Sequence, residues 1–243
     1  MKLLQEIGLL FDFCTIVIRK TFLNPYHKRL LYEIQDVFSG SFFVVVFFAI
    51  LVGMSVGLEF WMAMKIVGAE DLASTFSTLG IFRELGPMIA GSQVLIKSGS
   101  KVTAFLASAQ DRGQITALEV IPVDSIRYLV VPKFWALCLA TMFFTVIANT
   151  ISLLSSYLFI VKISGVSEGA FWNNAFASVG IYDVLVGIIK GFIIGFVNSL
   201  FVCYYGYNAK PGPAGMAAAI NRGIVLSIII AIFLNYVLSI VFF

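Results

Sequence analysis

Charge-free runs long enough to cross a bilayer dominate the chain, since a spanning helix needs about 20 mostly apolar residues. Residues 37–58 lie between Asp36 and Glu59, and residues 134–161 lie between Lys133 and Lys162. Residues 191–209 follow Lys190 and extend back across Asp183 to about Tyr182, and residues 223–243 form the last run. A further span joins 72–82 to 85–96 through Arg83 and Glu84, which places an ion pair inside it. The pattern predicts an all-α integral membrane protein with five transmembrane helices.

The first residues follow a different pattern. Leu3, Leu4, Ile7, Leu10, Phe11, Cys14 and Ile18 recur at helical spacing, with Lys2, Gln5, Glu6, Asp12 and Arg19 on much of the remainder. This predicts a helix lying flat in the membrane interface, with an imperfect sixth span as the alternative. Glu6 and Asp12 within the apolar stretch, and no small-residue cleavage site after it, argue against a signal peptide. No Pro-, Ser- or charge-rich linker divides the chain, so residues 1–243 read as one membrane domain, with an interfacial region over 1–36 and a bundle over 37–243.

Composition agrees: 60% of the residues are hydrophobic and 12% charged, against about 25% charged in soluble domains. A net charge of +3 spread along the chain makes no nucleic-acid footprint. With five spans, the N-terminal region, residues 97–133 and residues 209–222 share one side, and they carry 12 of the 16 Lys and Arg residues. The positive-inside rule puts that side, with the N-terminus, in the cytoplasm and Phe243 outside.

Familiar catalytic chemistry is missing. The string closest to a phosphate-binding loop, Ser98-Gly99-Ser100-Lys101, lacks its spacing and its Gly-Lys pair, so the chain is not expected to bind ATP itself. H-E-x-x-H and G-x-S-x-G are absent, and the one histidine, His27, lies in a basic juxtamembrane stretch. Cys14, Cys138 and Cys203 have no CxxC spacing and no neighbouring His, so no metal site or disulfide framework is expected. No nucleophile, base and oxyanion donors converge, so the chain is not read as an enzyme.

Charge inside the spans is the candidate chemistry. Each costs at least about 2.5 kcal/mol on insertion scales, so Arg83, Glu84 and Lys190 should face protein or water. They form either a cavity feature that attracts an anionic headgroup or a purely architectural Glu84–Lys190 pair between two helices. Gly187, Gly191 and Gly195, like Gly53 and Gly57, recur at G-x-x-x-G spacing and mark faces of close helix contact, within the chain or between subunits. Gly212, Ala214, Gly215 and Ala217–Ala219, with Pro211 and Pro213, form a tight approach to the last helix. Residues 108–127, SAQDRGQITALEVIPVDSIR, are polar enough to leave the membrane, yet Ile115, Leu118, Val120 and Ile121 give them an apolar stripe suited to a partner.

At these residues the sequence resembles the permease subunits of MCE-associated ABC transporters, the MlaE or YrbE family. Arg83-Glu84-Leu85-Gly86-Pro87 stands as that family's RELGP, and Leu118-Glu119-Val120-Ile121-Pro122-Val123-Asp124 is similar to its LE…VDP pattern. Pro132-Lys133-Phe134-Trp135-Ala136 stands for PRFWA, while Gly57-Leu58-Glu59, Asn198-Ser199-Leu200-Phe201 and Ala214-Gly215 extend the resemblance over nearly the whole chain. It implies an interfacial helix, five spans and a cytoplasmic coupling helix between the second and third spans. It also implies a multi-pass protein of the inner membrane that pairs with a second permease copy or paralogue. The other implied partners are ABC ATP-binding subunits, which would hold ATP and Mg, and an MCE-domain protein outside, with phospholipid or another hydrophobic molecule as cargo. Carried over by position, Arg83 and Glu84 would sit by the lipid cavity and Glu59 near its outer mouth, and the charge inside the spans adds Lys190 to the cavity set. Asp111, Arg112, Gln114, Glu119 and Asp124 would lie on the ATPase-coupling segment.

Three positions depart from the pattern: Phe105 stands for an acid, Gly113 for a Glu and Ser125 for the Pro of VDP. The resemblance implies that the missing acids are ones that meet the ATPase. Two other readings of the chain exist. One is an ion-coupled carrier in which Glu59, Glu84 and Lys190 relay protons; the other is a membrane scaffold without transport activity.

Overall fold

The computed structural model describes residues 2–21, 27–121 and 123–243, with side chains described from residue 8 in the first stretch and from residue 28 in the second. His27's side chain and Pro122, both singled out in the sequence, lie outside that description. Among the described residues every regular element is helical. The helices are α1 (Lys2–Thr21), α2 (His27–Val67), α3 (residues 73–111), α4 (Gln114–Val120), α5 (Ile126–Ile163), α6 (Glu168–Ser178), α7 (Ile181–Tyr207) and α8 (Pro213–Phe242).

Four of them, α2, α5, α7 and α8, are long and apolar enough to cross a membrane. α3 is continuous, but Arg83 and Glu84 stand among Gly, Ser and Thr, and it is not one of the four. It widens into π-helical turns at Ile81–Leu85 and Leu95–Gly99. The stretch 162–180, which lies between two of the apolar runs of the sequence, contains α6. Ser167 starts it by accepting a hydrogen bond from the Ala170 amide at 3.2 Å.

The chain packs as two compact units. One comprises Met1–Ser41, Val94–Ala140 and Gly195–Ile232. In it α1 lies on the first turn of α5, and Phe13 meets Tyr204 edge-on with ring centroids 5.6 Å apart. Phe13 and Val17 are buried, whereas Phe11 and Ile18 of the expected apolar stripe are exposed. Leu9, Phe13, Ile16 and Val17 are apolar residues of α1 outside that stripe, so spacing alone does not decide which side meets protein. A buried ion pair joins Lys133 to both Glu33 oxygens at 2.7 Å, which satisfies two charges that would otherwise be costly to bury.

The other unit comprises Phe42–Gln93, Thr141–Ile194 and Phe233–Phe243. Here the predicted small-residue faces meet neighbours within the chain. A Cβ on Gly53 would strike the Ser152 carbonyl, and one on Gly57 would lie 3.1 Å from the Ser156 hydroxyl. A Cβ on Gly187 would lie 2.9 Å from the Phe82 carbonyl, and one on Gly191 would strike the Thr145 hydroxyl. Gly195, in the first unit, is buried, and its carbonyl accepts from Ser199 Oγ at 2.7 Å. Phe171 of α6 is buried with Ala73, Ile160, Val166 and Ala175, under the partly buried Phe60, Trp61 and Trp172.

Candidate functional site

The polar site in the second unit starts from a proline. Pro87 has no N–H, so the carbonyl of Arg83, four residues earlier, lacks its α-helical donor. The turn just before it, Ile81–Leu85, is π-helical, with the Gly86 amide bonded to the Ile81 carbonyl. The freed Arg83 carbonyl accepts a hydrogen bond from Lys190 Nζ of α7 at 2.7 Å. RELGP therefore acts as a backbone device as well as a pair of charges.

The charges assemble around that bond. Lys190 has no exposed side-chain surface; its Nζ lies 3.3 Å from Glu84 Oε1 and 2.6 Å from Ser239 Oγ of α8. Asn235 Nδ2 donates to Glu84 Oε2 at 2.7 Å, and the Ser239 hydroxyl also bonds to Glu84. Arg83 Nε donates to Asp183 Oδ1 at 2.7 Å, while Asp183 Oδ2 accepts from the Gly180 amide at 2.9 Å. The Arg83 guanidinium lies 4.1 Å from the centroid of the Phe243 ring, within cation–π range. Glu84 keeps 40% of its side-chain surface exposed and Arg83 35%, so both side chains bonded into the network also keep outward surface.

The structure thus brings Arg83, Glu84 and Lys190 together and leaves Glu59 apart. Glu59 is exposed on α2 and makes no hydrogen bond or ion pair among the described residues. It adds Asp183, Asn235 and Ser239. The last two could have been found from their i, i+4 spacing, which puts two polar side chains on one face of an otherwise apolar span. Asn149 Oδ1 is buried nearby without a partner among the described residues, at a point where a Cβ on Gly86 would collide with it.

The segment between α3 and α5 lies in the first unit. Asp111 Oδ1 accepts from the Gly212 amide at 2.7 Å, tying the end of α3 to the loop before α8. Arg112, Gln114 and Glu119 are exposed; Ile115 is buried, while Val120 and Ile121 project outward. Asp124 is engaged inside the chain. It pairs with Lys20 at 2.6 Å and caps α5 by accepting from the Ile126 and Arg127 amides at 3.1 and 3.2 Å. Burial raises its carboxyl, but the Lys20 ammonium and the Arg127 and Ile126 amides outweigh this and hold it below the ordinary Asp value.

Residues 30–241 match the sequence profile of the Permease MlaE family. The chain belongs to the MlaE permease family. A "Probable ABC transporter permease protein" of Rickettsia typhi is 28% identical over 98% of this chain and 92% of its own length. The "Intermembrane phospholipid transport system permease protein MlaE" of Haemophilus influenzae is 26% identical over 84% of this chain and 78% of its own. In Arabidopsis thaliana, the chloroplastic protein TRIGALACTOSYLDIACYLGLYCEROL 1 is 26% identical over 89% of this chain and 62% of its own.

Each departure from the MlaE permease pattern has a local structural role. The Phe105 ring lies 4.3 Å from Lys133 Nζ, within cation–π range, beside the Lys133–Glu33 pair. Gly113 holds the turn into α4 at a φ of 65°, where a Glu would be strained by about 1–2 kcal/mol. Ser125 is buried, and its hydroxyl bonds to the Tyr207 hydroxyl at 2.9 Å.

Proposed function

We propose that this MlaE-family permease is the membrane subunit of an ABC transporter that moves phospholipid or another hydrophobic molecule. The observation that carries the reading is the network at Glu84. A fully buried Lys190 fixes one side of the carboxylate, while Glu84 and Arg83 keep outward surface against which a lipid headgroup can be held. α3 joins the four apolar helices as a fifth span, α1 lies in the cytoplasmic interface, and residues 1–243 act as one permease domain. The N-terminus is then cytoplasmic and the C-terminus periplasmic, in an inner membrane.

The chemical energy comes from partner ATP-binding subunits, which hold ATP and Mg. They press on α4, with its Gln114 and Glu119, and on the flanking Asp111, Arg112 and Asp124, while a second copy or a paralogue completes the cavity. An MCE-domain protein receives or delivers the lipid outside. Closing of the ATPases tilts α3 and α5 and narrows the cavity, with the π turn and Pro87 as the weak point of α3. Support comes from family membership and from the exposed Val120 and Ile121 on this segment.

Glu84→Ala is expected to fold, to retain any co-purifying ATPase, and to lose at least about tenfold in phospholipid transfer between labelled vesicles and an acceptor. Normal folding with unchanged transfer would refute the role of the network. A detergent pull-down of the tagged chain that yields neither an ATP-binding subunit nor an MCE-domain protein would refute the assembly and favour a carrier or scaffold.

A further inference from the structure

Arg83 is paired, yet its hydrogen-bonding capacity is not filled. Asp183 meets its charge by taking Nε, and Arg83 makes no other side-chain hydrogen bond among the described residues. A guanidinium presents its N–H groups as a rigid planar fork, so the Nη edge keeps donors without an acceptor. The face of that plane is covered by Phe243, whose ring centroid lies 4.1 Å from the guanidinium carbon and 5.4 Å from Lys190 Nζ. The ring is held in turn by Tyr182, which it meets edge-on at 6.1 Å and whose hydroxyl donates to the Phe242 carbonyl at 3.1 Å. Glu84, the other acid of the network, is neutralised by Lys190, and its oxygens accept from Ser239 and Asn235. What the site lacks is an acceptor and not a countercharge.

We infer that Phe243 and Asp183 are positioning residues that turn the Nη edge of Arg83 outward, and that this edge takes the phosphodiester of a phospholipid. The inference rests on the reading that a lipid meets this network, and it narrows the cargo from any hydrophobic molecule to a phosphate-bearing one. Paired N–H···O bonds from one guanidinium match the spacing of phosphate oxygens, which an ammonium cannot do. Beside helices apolar enough to span a bilayer, donors without an acceptor are costly, which favours a lipid that brings its own. Phe243 acts through Arg83: by fixing the plane of the fork it lowers the ordering cost of binding.

The full chain in detergent is titrated with dioleoyl phosphatidylethanolamine and, separately, with dioleoylglycerol, which has the same acyl chains and no phosphate. Thermal unfolding reads the half-saturating concentration of each. The phospholipid should saturate at a concentration at least about fivefold lower, the worth of one hydrogen bond. Phe243→Leu should raise the phospholipid value about fivefold and not the glyceride value, while Phe243→Tyr, which keeps the ring, should restore it. Arg83→Lys, which keeps the charge and loses the fork, should weaken the phospholipid in the same way. Equal saturation of the wild-type chain by the two lipids would overturn the inference, as would phospholipid binding unchanged by Arg83→Lys or by Phe243→Leu. A Phe243→Leu loss shared by the glyceride would also overturn it, making the ring a plain apolar wall. So would stabilisation by millimolar inorganic phosphate without lipid, since the fork would then be taking a free anion. Should Phe243→Leu not fold, Arg83→Lys and the wild-type comparison decide. Absence of vesicle transfer with this binding pattern intact would refute transport and leave the inference standing.

Discussion

Lys190 lies wholly inside a helix apolar enough to span a bilayer, so its ammonium has to be satisfied by protein. Three acceptors do this: the carbonyl freed by Pro87, Glu84 and Ser239. The sequence exposes the Arg83, Glu84 and Lys190 charges and the proline, because charges in an apolar run stand out. It hides the partners: Asn235 and Ser239, because polar residues are common in long spans and only the fold aims these two at Glu84, and Asp183, whose pairing with Arg83 no spacing shows. Asp124 is the converse case, a motif residue whose carboxylate the fold uses for itself. Its lowered carboxyl gives stability that is complete above the ordinary Asp value and is lost as pH falls through the lower folded value. Asp124→Asn should therefore melt below the wild type at pH 6. The gap between them should narrow below about pH 4, read by thermal unfolding in detergent. A gap independent of pH would show that the ionised carboxylate contributes nothing.

Helix contacts follow the small residues. Gly53 and Gly57 are equivalent in a spacing argument, but the structure separates them by what they touch. The Ser152 backbone opposite Gly53 would lie closer than 3 Å to a Cβ and cannot turn aside, while opposite Gly57 the Ser156 hydroxyl at 3.1 Å and the Ser156 backbone at 3.3 Å leave a smaller overlap. Gly53→Ala should cost about 1–3 kcal/mol, the usual penalty for overpacking, and Gly57→Ala clearly less, measured by thermal unfolding in detergent. Equal losses would mean that the α2–α5 contact relaxes as a whole. The long elements α2, α5, α7 and α8 are legible from hydropathy, since lipid demands apolar surface over a fixed length. α6 escapes that argument because it is short and held by a Ser167 cap and Phe171 burial. On α1 the residues that meet protein, Phe13 and Val17, differ from the stripe read in the sequence, because lipid and protein reward the same apolar side chains.

For the molecule as a whole, the five-span proposal fixes which segments share a side. After Cys14, Cys138 and Cys203 are replaced by Ala, Val120→Cys should react with a membrane-impermeant maleimide only once cells are opened. Gly169→Cys, where no other atom lies within 4 Å, should react in intact spheroplasts. The reverse pattern, Val120→Cys reacting in intact spheroplasts and Gly169→Cys only once cells are opened, would remove α3 from the count of spans. The chain by itself determined the helical membrane class, the family and the presence of costly charge in the spans. These depend on which groups a bilayer tolerates, and composition records that directly. Only the tertiary structure decided how the charge is satisfied, which glycines admit no Cβ, and that Asp124 and Gly113 serve the fold. The Gly113 turn depends on its positive φ and the others on what a neighbouring helix places within about 3 Å, and no periodicity along one helix carries that information.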